Sequence, residues 1–200
     1  EAVAVGSIAA TRPQDYVITA YRDHGHAIAR GMEMTPLFAE LYGKASGCSR
    51  GKGGSMHFFD AEKNFFGGHA IVGGHIPLAI GLGWAAKYRK EDRVTLCYFG
   101  DGAINQGSFH EALNLAGIHK LPCIFMVENN GYAMGTHLHR SSAVTDLKLR
   151  TGDAYGIPGK EVDGMDCIAM YQMMKDALEY CRSGNGSLFL EVKTYRYRGH

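Results

Sequence analysis

The segment YFGDGAINQGSFHEALNLAGIHKLPCIFMVENNGYAMGT, from Tyr98 to Thr136, joins two short apolar runs through one helical pattern. The first run ends in Gly100-Asp101-Gly102, and the second ends in Asn129-Asn130. Residues 103 to 128 separate these polar groups, a length suited to one helical crossover between neighbouring parallel strands. Ligands of parallel α/β sheets bind at the carboxyl ends of the strands. We therefore expect both polar groups to face one crevice.

The rest of the chain continues this alternation of strands and helices. Runs such as RVTLCYFG and SLFLEVKTYRY are apolar without a polar face, which is typical of parallel strands covered on both sides. Helical spacing of apolar residues begins at about Ile76 and recurs in DCIAMYQMMKDALEYCRSG. The sequence therefore predicts an α/β fold, an open and mainly parallel sheet with helices on both faces. No internal repeat or linker divides it, so residues 1–200 are predicted to form a single domain.

The composition is that of a globular protein, with 46% hydrophobic and 20% charged residues. A formal net charge of +1 gives no electrostatic case for binding nucleic acid or an anionic membrane. The apolar runs are all far shorter than the ~20 residues of a membrane span. Five scattered cysteines without a CxxC pair favour a reducing compartment. We expect neither nucleic-acid nor membrane binding.

The two polar groups carry the oxygen ligands that Mg²⁺ prefers. Asp101 offers a carboxylate, Asn130 an amide oxygen, and the irregular turn at Tyr132 a backbone carbonyl. Mg²⁺ commonly completes its coordination with phosphate oxygens and water. The helix that begins near Gln106 presents backbone N–H groups and a positive dipole end, which suit a phosphate. These features predict a diphosphate held through a divalent cation.

Two other interpretations of these residues stay open at this point. Gly-Asp-Gly between a strand and a helix is often only a tight turn. A nicotinamide dinucleotide site would need a third glycine where Asn105 stands, although Glu128 could serve as the acid that binds the ribose. The pairing of the two polar groups at this spacing is more specific than either group alone.

The chain resembles a known family along nearly its whole length. Gly-Asp-Gly, one helix and Asn-Asn form the motif with which thiamine diphosphate enzymes bind the diphosphate and magnesium. Further similarity lies in YRDHG, GKGGSMH, AIVGG, GDGAINQG, KLPCIFMVENNGYAMGT, EVDGMD and TYRYRGH. These strings resemble the α subunits of the pyruvate dehydrogenase component, a branch of the thiamine diphosphate-dependent 2-oxoacid dehydrogenases. The resemblance implies the diphosphate-type domain of the thiamine diphosphate-binding fold over residues 1–200, as an internal fragment of a longer α subunit.

The resemblance also implies roles for individual residues. The Mg²⁺ ligands would be Asp101, Asn130 and the carbonyl of Tyr132. The cofactor-binding residues would be Tyr21, Arg22, Ala70, Val72, Asp101, Gly102, Ala103, Asn130, Tyr132 and His200. Among these, Ala70 and Val72 would approach the aminopyrimidine through backbone, and Ala70 stands where relatives often have glycine. His24 and His200 would be catalytic, exchanging protons near the substrate.

The family's reaction is the oxidative decarboxylation of a 2-oxoacid, with transfer of the acyl group to a lipoyl group. In relatives a β subunit supplies the glutamate that activates the cofactor, so the resemblance implies an α₂β₂ assembly and contact with the lipoyl domain of the acetyltransferase component. The expected location is bacterial cytoplasm, or in a eukaryote the mitochondrial matrix or a plastid. Pyruvate is the preferred substrate; the alternatives are an acetoin or branched-chain 2-oxoacid dehydrogenase subunit and a non-catalytic scaffold subunit. Branched-chain relatives commonly carry Gly-Glu-Gly in place of Gly-Asp-Gly.

Overall fold

The computed structural model describes residues 1–198. The helices in this range are α1 (Ala2–Ala9), α2 (His24–Ala29), α3 (Met34–Leu41), α4 (Ile76–Tyr88), α5 (Gly107–His119), α6 (Leu138–Ser141), α7 (Leu147–Tyr155) and α8 (Cys167–Tyr180). The strands are β1 (Tyr16–Ala20), β2 (Phe65–His69), β3 (Thr95–Gly100), β4 (Cys123–Asn129), β5 (Tyr132–Ala133), β6 (Thr136–His137), β7 (Gly159–Asp163) and β8 (Leu188–Lys193). Short 3₁₀ turns lie at Gly54–Met56 and Asp101–Asn105, and a π turn at Cys181–Asn185.

Six strands form one sheet in the order β2-β1-β3-β4-β8-β7. Every neighbouring pair in this sheet is parallel. The two-residue strands β5 and β6 form a separate antiparallel hairpin that directly follows β4. The prediction of an open, mainly parallel sheet is therefore confirmed.

Apolar side chains cover the sheet on both faces. On one face, Leu96 and Tyr98 of β3 pack in a core that includes residues of α1, α2 and α8. On the other face, Cys97 and Phe99 pack with α4, α5 and α7. Because every second residue of a strand points to the opposite face, a strand buried on both sides is apolar throughout. The predicted arrangement of helices on both faces is also confirmed.

The register of β3 against β4 places the two polar groups at one edge of the sheet. Gly100 lies opposite Glu128, so Asp101 and Asn129 leave the sheet side by side. Strand β1 lies on the other side of β3, and β8 lies beyond β4. The segments that follow β1, β2, β3, β4 and β8 consequently emerge at the same edge.

Two further observations concern the cysteines and the lengths of the helices. Cys97 and Cys123 are fully buried free cysteines in the middle strands, where they act as small core residues. Within residues 1–198, no helix is both long and apolar enough to span a bilayer.

Candidate functional site

Asp101 begins the 3₁₀ turn that connects β3 to α5. Its side chain is buried, with an exposed fraction of 2% for the residue. Burial raises the pKa of Asp101, while the nearby backbone N–H groups and the charges of Arg196 and His137 act in the opposite direction. A cation bound at Asp101 would stabilise its ionised form, which burial disfavours.

The two asparagines after β4 have different environments. Asn129 is buried; its Nδ2 donates to Glu191 Oε1 at 2.7 Å, and its Oδ1 accepts from the N–H of Gly131 at 3.0 Å. Asn130 is half-buried, and its Oδ1 accepts from the N–H of Tyr132 at 3.0 Å. An amide oxygen has two lone pairs, so Asn130 Oδ1 keeps one for a further partner. Asn130, the predicted ligand, therefore remains able to bind a metal. Asn129 instead uses its side chain in hydrogen bonds within the protein, to Glu191 and Gly131.

The β5–β6 hairpin lies directly against the Asp101 turn. A Cβ on Gly102 would lie 2.6 Å from the Cβ of Ala133, closer than packed carbons approach. Glycine at position 102 therefore lets the hairpin, and with it Tyr132, approach the metal-ligand candidates. Tyr132 is 44% exposed, and its ring makes an edge contact with the ring of His137 at a centroid distance of 4.8 Å.

The segment after β8 closes the site from the other side. Arg196 Nη1 donates to the carbonyl of Met134, at the tip of the hairpin, at 2.6 Å. Its charge also acts on Asp101, as described above. The sequence pattern did not single out Arg196. The order of the strands is the signal that could have found it, since β8 neighbours β4 and its continuation must emerge beside Asn130.

The donor atoms at this edge suit Mg²⁺ in kind. The Asp101 carboxylate, the Asn130 amide and the Tyr132 carbonyl are hard oxygens, and Mg²⁺ binds few protein oxygens when phosphates supply the rest. Within the described range, no three His, Cys, Asp or Glu side chains converge on a metal position. A site with one acidic side chain therefore fits a small oxygen-seeking ion that arrives with a phosphate, and does not fit Zn²⁺.

The residues after β1 form the next wall of this edge. A surface depression of about 300 Å³ is lined by Tyr21, Arg22 and His24 together with Ser55 and Met56. The last two belong to residues 47–57, here called the glycine-rich loop. Arg22 lies over the ring of Tyr21, with 5.9 Å from the guanidinium carbon to the ring centroid. His24 is exposed, and its Nε2 lies 3.0 Å from the carbonyl of Ser55. The structure brings the predicted Tyr21, Arg22 and His24 together.

The loop between β2 and α4 carries the predicted Ala70 and Val72. Val72 is 47% exposed and Ala70 half-buried. At the next residue, a Cβ on Gly73 would come within 3.1 Å of the Gln106 side chain and 3.7 Å of the Ala103 carbonyl. The β2–α4 loop therefore lies next to the turn between β3 and α5. As a result, Ala70 and Val72 of the loop lie on the same side of the sheet edge as Gly102 and Ala103 of the turn.

Two carboxyl groups near the site, the buried Asp23 and the half-buried Glu128, were not predicted as site residues. Burial raises the pKa of Asp23 to about 6, against hydrogen bonding from the backbone of Phe58 and the charges of His24 and His57. Burial likewise raises the pKa of Glu128 to about 7, partly offset by positive groups that include Arg22. Clusters of carboxyl groups with displaced pKa values are typical of functional sites. In the sequence, Glu128 stands out only as a candidate ribose-binding acid and Asp23 only as part of YRDHG, and neither pattern indicates a displaced pKa.

The predicted His200 lies outside the described residues. The other predicted residues, from Tyr21 to Tyr132, all lie along the edge formed by the ends of β1, β2, β3 and β4.

Comparison with known proteins defines the family of this chain. The family model described as "Dehydrogenase E1 component" matches residues 1–200. The chain belongs to the dehydrogenase E1 component family. It is 54% identical to the pyruvate dehydrogenase E1 component subunit alpha of Rhizobium meliloti, 52% identical to that of Zymomonas mobilis and 50% identical to the mitochondrial somatic form of Homo sapiens. The family predicted from the motifs is confirmed.

Each of these E1 relatives is longer than the region compared. The alignments cover 100% of this chain and 57%, 56% and 50% of the three relatives respectively, so the chain spans about half the length of the curated relatives it matches. A solved structure of a thiamin diphosphate-dependent enzyme from Mycobacterium smegmatis aligns with a TM-score of 0.60 at 21% identity, over 97% of this chain and 31% of that one. This likeness confirms the fold.

Proposed function

We propose that this chain is the cofactor-binding region of a pyruvate dehydrogenase E1 α subunit, which binds thiamine diphosphate through Mg²⁺. The observation that carries the proposal is the pairing of the buried Asp101 with Asn130 at the ends of two adjacent parallel strands. The names of the relatives that are 50–54% identical support pyruvate as the substrate. The Asp101 carboxylate in Gly-Asp-Gly favours pyruvate over branched-chain 2-oxoacids.

Three oxygens would hold the Mg²⁺ ion: the Asp101 carboxylate, the Asn130 Oδ1 and the Tyr132 carbonyl. Gly102 and Ala103 would line the diphosphate, which also faces the amino-terminal end of α5. Tyr21 and the guanidinium of Arg22 would reach the diphosphate from the end of β1, and His200 is proposed for the same role. Neutralisation of the diphosphate by a metal and a guanidinium provides the binding energy that orients the rest of the cofactor.

We propose that the backbone of the β2–α4 loop contacts the aminopyrimidine. Val72 in this loop is 47% exposed, and Ala70 adds only a methyl group where relatives often have glycine. The chemistry that thiamine diphosphate supplies when bound is stabilisation of a carbanion, which allows a 2-oxoacid to lose CO₂.

His24 is the described side chain best placed to move a proton. A carbonyl oxygen only accepts hydrogen bonds, so His24 Nε2 donates to Ser55 and the neutral ring keeps its lone pair at Nδ1. We propose that Nδ1 accepts and returns a proton near the substrate. His200 is proposed as the second catalytic histidine.

The proposal includes partners. A β subunit would supply the glutamate that activates the cofactor, in an α₂β₂ assembly, and the lipoyl domain of the acetyltransferase component would receive the acetyl group. The proposed location is a bacterial cytoplasm or, in a eukaryote, the mitochondrial matrix or a plastid; the human relative is named mitochondrial.

The test is to produce the full protein with its candidate β subunit and to assay decarboxylation with thiamine diphosphate and Mg²⁺. We expect turnover of pyruvate to exceed that of acetoin and of branched-chain 2-oxoacids at least about tenfold, the size of effect that pocket contacts give. Preference for acetoin would contradict the substrate assignment. Absence of turnover on all three substrates, with no cofactor binding, would instead support the scaffold alternative. Thermal protection by NADH rather than by thiamine diphosphate would support the nicotinamide alternative.

A further inference from the structure

Glu40, on α3, holds the glycine-rich loop through four hydrogen bonds. Its Oε2 accepts from the N–H groups of Ser49 and Gly51, both at 2.8 Å. Its Oε1 accepts from the N–H groups of Gly53 at 2.6 Å and Gly54 at 3.2 Å. Glu40 is fully buried. Burial alone would raise the pKa of Glu40, but these N–H groups outweigh it and lower the pKa, so the carboxylate is ionised near neutral pH.

The loop is folded tightly around this carboxylate. A Cβ on Gly47 would lie 2.3 Å from Glu40 Oε2, and a Cβ on Gly53 would lie 2.5 Å from the carbonyl oxygen of His57. The backbone therefore reaches the carboxylate only because these positions lack side chains. Ser49 Oγ adds a further bond to the His57 carbonyl at 2.5 Å. The glycine-rich loop therefore wraps around the Glu40 side chain and depends on it for four of its hydrogen bonds.

The far end of the same loop contacts His24. The Ser55 carbonyl accepts from His24 Nε2 at 3.0 Å, and the His24 ring packs on Phe58 with centroids 4.9 Å apart. The N–H of Phe58 donates to Asp23 Oδ2 at 3.0 Å, which ties the end of the loop to the residue before His24. The orientation of the His24 ring and the nitrogen that carries its proton are therefore set by loop atoms.

We propose that Glu40 is a positioning residue for catalysis, which fixes the glycine-rich loop and through the Ser55 carbonyl fixes the orientation and tautomer of His24. This inference rests on the proposed function of His24. Loss of the carboxylate releases four N–H groups, and a glycine-rich loop without its anchor samples many conformations. The Ser55 carbonyl then no longer holds Nε2–H, so the share of His24 with Nδ1 free and correctly oriented falls. The proposed Mg²⁺ ligands at the ends of β3 and β4 lie outside this network, so we expect cofactor affinity to be largely retained, although Tyr21 and Arg22 share a surface depression with Ser55 and Met56.

The test is a double-mutant cycle in the full protein assembled with its β subunit. Glu40→Gln keeps the size of the side chain but puts an NH₂ group against backbone donors. Glu33→Gln, at the exposed N-cap residue of the same helix, is the matched control. We expect Glu40→Gln to lower kcat for pyruvate at least about tenfold, because misplaced catalytic groups cost factors of this order. The dissociation constant for thiamine diphosphate with MgCl₂ should stay within about threefold, and Glu33→Gln should match the wild type in kcat and in this dissociation constant.

In a His24→Ala background, Glu40→Gln should lower kcat by less than about threefold, since the effects of residues that act through one another are not additive.

The outcomes separate this inference from the proposed function. Full activity of His24→Ala would overturn the role of His24, and the positioning role with it. If His24→Ala lowers kcat and Glu40→Gln does not, the positioning role alone is overturned. The positioning role is also overturned if Glu40→Gln lowers kcat by the same factor in the wild-type and His24→Ala backgrounds. If Glu40→Gln fails to fold, Gly53→Ala serves instead, because it keeps the carboxylate but forces the loop away from the His57 carbonyl. Gly53→Ala should then show the same loss of kcat with unchanged cofactor affinity, and unchanged kcat would contradict the inference.

Discussion

At the scale of single residues, Asp23 shows how burial beside the site costs stability. Its Oδ2 accepts from the N–H of Phe58, whereas its Oδ1 has no hydrogen-bond partner among the described residues. Burial raises the pKa of Asp23 from 3.8 to about 6. A raised carboxyl pKa means that the favourable contribution is complete below pH 3.8 and is lost as the pH rises through about 6. Near pH 7.5 the ionised, buried Asp23 therefore destabilises the fold.

We predict that Asp23→Asn stabilises the full protein near neutral pH and not in acid. Asparagine keeps an oxygen for the Phe58 N–H but carries no charge. A pKa change of one unit corresponds to about 1.4 kcal/mol of stability. The raised pKa of Asp23 therefore predicts that Asp23→Asn increases the free energy of unfolding by up to about 3 kcal/mol at pH 7.5 and has little effect near pH 4. Thermal unfolding at several pH values measures this. The exposed Asp176→Asn on α8 is the control and should change little at any pH, while an equal effect of both variants would contradict the assignment.

The neighbouring residues Asn129 and Asn130 are chemically identical and have different roles. Motif spacing predicted the pair at the crevice, and the structure places it there. Spacing could not predict that Asn129 turns to the buried Glu191, since Glu191 is distant in sequence and enters the contact only through the pairing of β4 with β8.

We predict that aspartate is tolerated at position 130 and not at position 129. Asn129→Asp places a carboxylate 2.7 Å from Glu191 Oε1 in a buried position and removes the donor, which should cost about 3 kcal/mol or more. Asn130→Asp keeps an oxygen for the Tyr132 N–H and adds charge toward Mg²⁺, so stability should change by less than about 1 kcal/mol. Denaturant unfolding of the two variants decides this, and equal losses of stability would show that the two roles are not distinct.

At the scale of elements, the site depends on how the β5–β6 hairpin meets the turn after β3. The long strands and helices were predictable because apolar periodicity extends over many residues. The hairpin was not, because strands of two residues carry no period and are held by contacts such as Arg196 with Met134. The same limit applies to the glycine-rich loop, whose anchor Glu40 is an ordinary helix residue in the sequence.

We predict that a methyl group between these two elements weakens cofactor binding. In Gly102→Ala the new Cβ meets Ala133 at 2.6 Å, so the hairpin and Tyr132 must move; the overpacking should cost about 1–3 kcal/mol of stability. The affinity for thiamine diphosphate should fall at least about tenfold, or about 1.4 kcal/mol. Gly81→Ala, at an exposed position within α4, is the matched control, because its Cβ would enter open space, with no atom of another element within 4 Å. If both variants bind the cofactor like the wild type, the close approach of the hairpin is not needed for binding.

At the scale of the whole molecule, one edge of the sheet collects residues from five strand ends. Parallel pairing in the order β2-β1-β3-β4-β8 makes this inevitable once the strands form, which explains why sequence reasoning could place most of the site. In the proposed function, the described residues would supply the metal ligands, a guanidinium and a histidine. The activating glutamate would come from a second subunit, so turnover would test the assembly, whereas cofactor binding through Asp101 tests this chain.

The most direct measurement is a calorimetric titration of thiamine diphosphate, with MgCl₂ present, into the assembled full protein. Asp101→Asn removes the charge from the proposed metal ligand with little change of volume, and the exposed Glu111→Gln on α5 is the control. We predict that Asp101→Asn weakens binding at least about tenfold, which corresponds to about 1.4 kcal/mol, and that Glu111→Gln binds like the wild type. Chelation of Mg²⁺ should lower the affinity of the wild type for thiamine diphosphate far more than that of Asp101→Asn. Binding of Asp101→Asn with wild-type affinity and an unchanged dependence on Mg²⁺ would contradict the account.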